Sequence, residues 1–158
     1  MIKIRKATAS DLPQLVNLYL EYQKEEKKLT NVDRSRWMIT KTGILQDLRD
    51  YVLEQNKLLR VLVDKDKITG FILGSFKRSK KYAIKNYGTI DEIYIIPKMR
   101  GRGLSSRLKD EFIKWFKERK IGKGVIALFV MPQNKVAQEA YKKWGFTISD
   151  LKLVKEFK

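Results

Sequence analysis

Residues 95–108 read IIPKMRGRGLSSRL. An apolar run stops at Pro97, two glycines alternate with two arginines, and a helical pattern begins at once. A turn that only redirects the chain has no need of so many positive charges around exposed backbone. The first turn of a helix carries N–H groups without intrahelical partners and the positive end of the helix dipole. Glycine lets such backbone approach a ligand closely, so the junction suits an anion, and phosphate above all. Gly101 and Gly103 would open the N–H groups of residues 101 to 106, with Arg100 and Arg102 adding charge. The plainer alternative is that the glycines merely permit a sharp turn from strand to helix.

Two phosphate motifs do not fit. A P-loop needs G-x-x-x-x-G-K followed by Ser or Thr, which occurs nowhere. A dinucleotide fingerprint needs a third glycine or alanine where Ser106 stands and an acidic residue about twenty positions on, where IGKGVIAL offers none.

Outward from the junction, periodicity predicts the rest. MIKIRKA alternates as a first strand, and Leu12, Leu15, Val16, Tyr19 and Tyr22 fall at helical spacing behind Ser10 as N-cap. Ile44, Leu45, Leu48 and Val52 suggest a second helix after a polar stretch. Two apolar runs around Asp64 to Lys67 read as a hairpin, and a basic connection leads to the strand TIDEIYII. Residues 104 to 120 form an amphipathic helix with Leu104, Leu108, Phe112, Trp115 and Phe116 on one face. VIALFVM is apolar enough for a central strand, NKVAQEAYKKWG is a short helix ending with Gly145 at C′, and LKLVKEF supplies a last strand. The order β-α-α-β-β-β-α-β-α-β predicts an α/β protein whose mixed sheet, of about six or seven strands, carries helices on both faces.

The chain has 158 residues, which predicts one domain over 1–158. It contains no cysteine and no histidine, so thiolate and imidazole metal sites are closed off, no metal is expected, and acid–base chemistry falls to carboxylates, tyrosine, lysine or water. No apolar stretch reaches the roughly 18–20 residues of a membrane span, and the start lacks a signal peptide's apolar middle, so a cytoplasmic protein is expected. The net charge of +17 suits either a polyanionic partner or a lysine-rich proteome.

Arg100-x-x-Gly103-x-Ser105, following a strand that ends IYIIP, resembles the acetyl-CoA-binding signature of the GNAT superfamily of N-acetyltransferases, Gln/Arg-x-x-Gly-x-Gly/Ala. Ser105 departs from the usual last residue but is nearly as small. The element order matches that fold from about residue 2 to 157, and Asn134-x-x-Ala137-x-x-x-Tyr141-x-x-x-Gly145-Phe146 resembles the family's second cofactor-contacting helix. The resemblance implies transfer of acetyl from acetyl-CoA, as co-substrate, directly to a primary amine of a small molecule or protein. It implies that the strands bearing DEIYII and VIALFV splay apart, the former with a bulge. Main-chain groups of Ile93 and Ile95 would then hold the pantetheine arm. Arg100, Gly101, Arg102, Gly103, Leu104, Ser105 and Ser106 would form the pyrophosphate loop, with Asn134 and Tyr141 contacting the cofactor.

An amine acceptor must lose a proton before it attacks, and a carboxylate can take it. Asp91 and Glu92 are the candidates. Strand alternation puts them on opposite faces, so at most one should face the substrate. Tyr141 stands where the family places the proton donor to the leaving thiolate; its plainer role is packing beside Ala137. Trp115, Phe116 and Trp144 read as core. The acceptor-side segments, residues 25–43 and 77–88, are basic, which disfavours a polycation and suits a neutral or acidic acceptor. Two other readings stay open: a GNAT-like protein that binds CoA without transfer, and a basic nucleic-acid-binding module. The second has no recognisable motif behind it, and its aromatics fall at core positions. LKLVKEF offers an edge for a homodimer.

Overall fold

The computed structural model describes residues 1–29, 40–80, 83–119, 122–150 and 153. Strand β1 (Lys3–Lys6) leads through a single 3-10 turn into α1 (Leu12–Lys27). Helix α2 (Lys41–Leu53) precedes the hairpin of β2 (Lys57–Asp64) and β3 (Lys67–Arg78), followed by β4 (Asn86–Ile95), α3 (Leu104–Lys117), β5 (Gly124–Leu128) and α4 (Lys135–Lys143). The sheet runs β1-β2-β3-β4-β5, antiparallel except for the parallel pair β4 and β5.

Each sheet face buries its own cluster. Tyr19, Leu15, Ile44 and Leu48 of α1 and α2 cover Val61, Phe71 and Leu73 on one side. Leu104, Leu108, Phe112 and Phe116 of α3 cover Leu58, Ile72 and Ile90 on the other. The aromatic pair of α3 lies directly on backbone: a Cβ at Gly74 would collide with the Phe112 ring, and one at Gly88 would come within 2.6 Å of Phe116.

Two expectations are revised, and a third lies outside the described residues. The α1 start is organised by Thr8 and Asp11, whose carboxylate accepts from the Thr8 N–H at 2.8 Å; Ser10 only shares a hydroxyl contact with Thr8. Arg5 grips the same carboxylate at 2.7 and 2.8 Å, which holds Asp11 down at about 2. The sheet has five strands among the described residues, against the six or seven expected, and there β5 pairs with β4 alone. The expected last strand, LKLVKEF, lies outside the described residues except for Leu153.

Candidate active site

Strands β4 and β5 run side by side only from Asn86 to Ile90, opposite Gly124 to Leu128. Beyond Ile90, β4 continues to Ile95 on its β3 side alone. The Ile96 N–H donates to the Thr69 carbonyl at 3.0 Å, toward β3. Alternation therefore turns the main-chain groups of Ile93 and Ile95 the other way, into the space that β5 has left. A sheet edge of this kind can accept an extended ligand as an added strand. The Ile95 carbonyl is already used, because Arg100 Nε donates to it at 2.8 Å.

That edge leads into the glycine junction. Gly101 and Gly103 adopt φ of 75° and 69°, a left-handed backbone that disfavours any residue with a Cβ. No atom lies within 4 Å of where a Cβ would be at either, so conformation rather than crowding selects glycine. Helix α3 starts at Leu104 with no side chain capping it, and the N–H groups of Leu104, Ser105 and Ser106 lack intrahelical partners. Arg102 is exposed at the loop tip. Arg100 points elsewhere: its guanidinium meets Glu25 of α1 at 2.7 Å, and Tyr94 donates to the same carboxylate at 2.7 Å. It braces the loop against α1.

The two candidate carboxylates share one face. Leu73 pairs with Glu92 and Gly74 with Ile90, leaving Asp91 without a partner across β3. This bulge suspends the alternation, so the expectation of opposite faces is wrong. Asp91 accepts from Tyr51 of α2 at 2.8 Å and from Ser75 at 3.2 Å. Burial raises its pKa, against the lowering effect of Tyr51, Ser75 and Lys57. Glu92 accepts from the Tyr22 hydroxyl and, at 3.5 Å, from Tyr19, both on α1. Asp47 of α2, also raised by burial, lies within electrostatic reach of Asp91.

The C-terminal end of α4 presents Tyr141. The Phe146 N–H bonds back to the Tyr141 carbonyl at 3.0 Å and the Gly145 N–H to Lys142 at 2.9 Å, with Gly145 at φ 86°. This Schellman closure, with Tyr141 and Phe146 rings 6.4 Å apart, fixes where the phenol sits. Burial, then the charges of Glu92 and Glu26, push Tyr141 up to about 12, so the phenol keeps its proton near neutrality. Asn134 caps α4, its side-chain oxygen accepting from the Ala137 N–H at 3.2 Å. Trp144 is only half-buried and is not core: its indole N–H donates to Ser106 at 3.0 Å, tying α4 to the first turn of α3.

That Tyr19, Tyr22, Tyr51, Ser75, Asp47 and Glu26 gather around Asp91, Glu92 and Tyr141 was not legible in the sequence. The two α1 tyrosines sit at helical spacing with leucines, which marks a packing stripe and hides where the hydroxyls go. Among the described residues, no group of three or more His, Cys, Asp or Glu is placed to hold a metal ion. No helix among them is long and apolar enough to cross a membrane.

The model of the acetyltransferase (GNAT) family matches residues 12–146. A curated relative, an uncharacterised N-acetyltransferase of Methanocaldococcus jannaschii, is 27% identical over 150 residues. That match covers 90% of this chain and 59% of the relative, so the chain spans about three fifths of the relative's length. A predicted acetyltransferase of Clostridium acetobutylicum, solved with acetyl-CoA, superposes with a TM-score of 0.75 at 22% identity, covering 99% of this chain and 96% of that one. The PaiA N-acetyltransferase of Thermoplasma acidophilum, solved with coenzyme A, gives 0.76 at 22% identity over 96% and 93%. At these identities the likeness shows the fold.

Proposed function

Because the chain belongs to the GNAT acetyltransferase family, we propose that it transfers acetyl from acetyl-CoA to a primary amine, with Glu92 as base and Tyr141 as proton donor. The observation that carries this is the parting of β4 and β5 after Ile90, immediately before the left-handed glycines that open α3. Acetyl-CoA supplies an activated acyl group and a sulfur leaving group. The open edge of Ile93 and Ile95 fits its amide-bearing arm, Ile95 through its N–H. The free N–H groups of Leu104, Ser105 and Ser106, with Gly101, Arg102 and Gly103, fit its diphosphate. Arg100 and Asn134 hold those elements in place. The acetyl-CoA and CoA bound in the Clostridium and Thermoplasma proteins support the same choice of co-substrate.

Glu92 is preferred over Asp91 because its charge, and not that of Asp91, acts on the Tyr141 phenol. Asp91, held by Tyr51 and Ser75, positions the acceptor. An alkylammonium with a pKa of about 10.4 arrives protonated, and Glu92 takes its proton. Tyr141 holds its own proton at Oη, ready for the departing sulfur. Asp47, Asp91 and Glu92 together favour an acceptor with a positive end, against the repulsion expected from the basic flanking segments.

Release of free CoA thiol from acetyl-CoA with a panel of primary amines, plus the acetyl mass increment on the amine, tests this. Turnover that Tyr141→Phe slows supports it. CoA binding without transfer to any amine contradicts it.

A further inference from the structure

Glu92 must pass on the proton it takes before it can serve again. Its carboxylate lies between β4 and α1, with Asp91 and Tyr94 beside it on β4 and Tyr141 of α4 within its electrostatic reach. From α1 it meets two hydroxyls, Tyr19 and Tyr22. Tyr19 is 2% exposed and Tyr22 7%, so neither delivers a proton to water directly. A second carboxylate stands beside Tyr22: Glu26, one helical turn further along α1, where helix geometry brings the two side chains together and its charge reaches the Tyr22 hydroxyl. Glu26 is partly exposed, toward the helix end at Lys27. Neighbouring Glu25 is committed to Tyr94 and Arg100, and Tyr51 of α2 is committed to Asp91.

We propose that Tyr22 and Glu26 form the exit for the proton that Glu92 removes, carrying it from the base to the surface end of α1; this rests on the acetyltransferase reading. At rest the Tyr22 hydroxyl donates to Glu92; once Glu92 is protonated the hydroxyl turns to Glu26, and Glu92 gives its proton to Tyr22 Oη while the Tyr22 proton passes to the Glu26 carboxylate. Glu26 then releases it to water. One O–H bond forms on each acceptor as one breaks on each donor, and no charge is stranded on the phenol. A free tyrosinate at Tyr22 is strongly disfavoured, since burial first and then Glu92 and Glu26 raise its pKa well above the ordinary value. The transfers are therefore concerted. The net proton of the reaction leaves by this route, and the second ammonium proton accounts for the thiol. Tyr22 and Glu26 act through Glu92 and do not touch the substrate.

The test follows acetyl-CoA turnover with n-butylamine, ethanolamine and lysine amide as acceptors, across pH and at rising imidazole concentration. Glu26→Gln should lower kcat roughly tenfold, less than the ~100-fold or more of a base in contact with substrate. The melting-temperature shift with acetyl-CoA should stay as in the wild type. Imidazole, a diffusible proton acceptor, should restore the lost rate, which a purely structural defect would not allow. Tyr22→Phe, which keeps the ring, should fall similarly, and the double variant no further, because both cut one path. Glu21→Gln, exposed on the same helix, is the control and should match the wild type. Wild-type turnover in Glu26→Gln, a loss that imidazole leaves unchanged, or additive losses in the double variant would overturn the exit. A wild-type protein that binds acetyl-CoA but acetylates none of the amines would overturn the acetyltransferase reading, and the exit with it.

Discussion

Replacing Gly103 with alanine separates what the glycine's backbone does from what its size does. Gly103 sits at φ 69° and ψ 9°. A Cβ there meets nothing within 4 Å, so the whole cost is conformational. Holding an L-residue in this region costs about 1–2 kcal/mol. Alanine recovers about 0.4–1 kcal/mol by restricting the unfolded chain, which leaves a net penalty of about 1 kcal/mol. That penalty can surface in two places. If the free loop keeps its left-handed turn, it appears as lost stability, about 2–4 °C in Tm for a chain of this size. If the free loop relaxes and must be driven back when CoA binds, it appears as weaker binding, about fivefold per kcal/mol. Melting of the free protein and calorimetric titration with CoA, run on one preparation, measure both parts. The sum should come to about 1 kcal/mol however it divides. A sum below about 0.5 kcal/mol would refute the claim that left-handed backbone is what Gly103 contributes.

Gly74→Ala should destabilise by about 1–3 kcal/mol in urea unfolding, because its methyl would enter the Phe112 ring and force α3 off the sheet. Asp11 has a folded pKa lowered to about 2 from 3.8, so its contribution is fully present above about pH 4 and is lost as pH falls through 2. The shift is worth about 2 kcal/mol, discounted toward 1 because the Arg5 side chain is 46% exposed; Asp11→Asn should flatten stability against pH over that range. Glu92→Gln should lower kcat by about 100-fold or more, whereas Asp91→Asn should act mainly on the acceptor's KM; equal effects on kcat would contradict the division of labour.

The strand-to-helix geometry of the proposed cofactor side was legible because its signals are local. The glycine spacing, the arginines and the stripe from Leu104 to Phe116 all lie within one strand-to-helix unit, and the Gly145 signal at the end of α4 is equally short-range. What escaped depends on pairing between distant segments. The shared face of Asp91 and Glu92 is a property of β4 against β3, visible only once Leu73 pairs with Glu92 and Gly74 with Ile90. Arg100 looks like a phosphate ligand until Glu25, 75 residues away, takes its guanidinium. Tyr22 reads as core, and its ring is core, against Phe71 at 6.0 Å; only the hydroxyl reaches Glu92. Trp144 likewise shows an aromatic stripe in sequence and a hydrogen bond to Ser106 in space.

The most direct test of the central claim, that the β4–β5 gap and the α3 glycine turn together hold acetyl-CoA, is a thermal-shift titration with acetyl-CoA, CoA and NADH. A ligand that binds only the folded state raises Tm with its concentration relative to Kd. Both CoA forms should raise Tm and NADH should not, and Gly103→Glu should abolish the shift by placing a carboxylate at the diphosphate position. No shift at millimolar acetyl-CoA, or an equal shift in Gly103→Glu, would contradict the account.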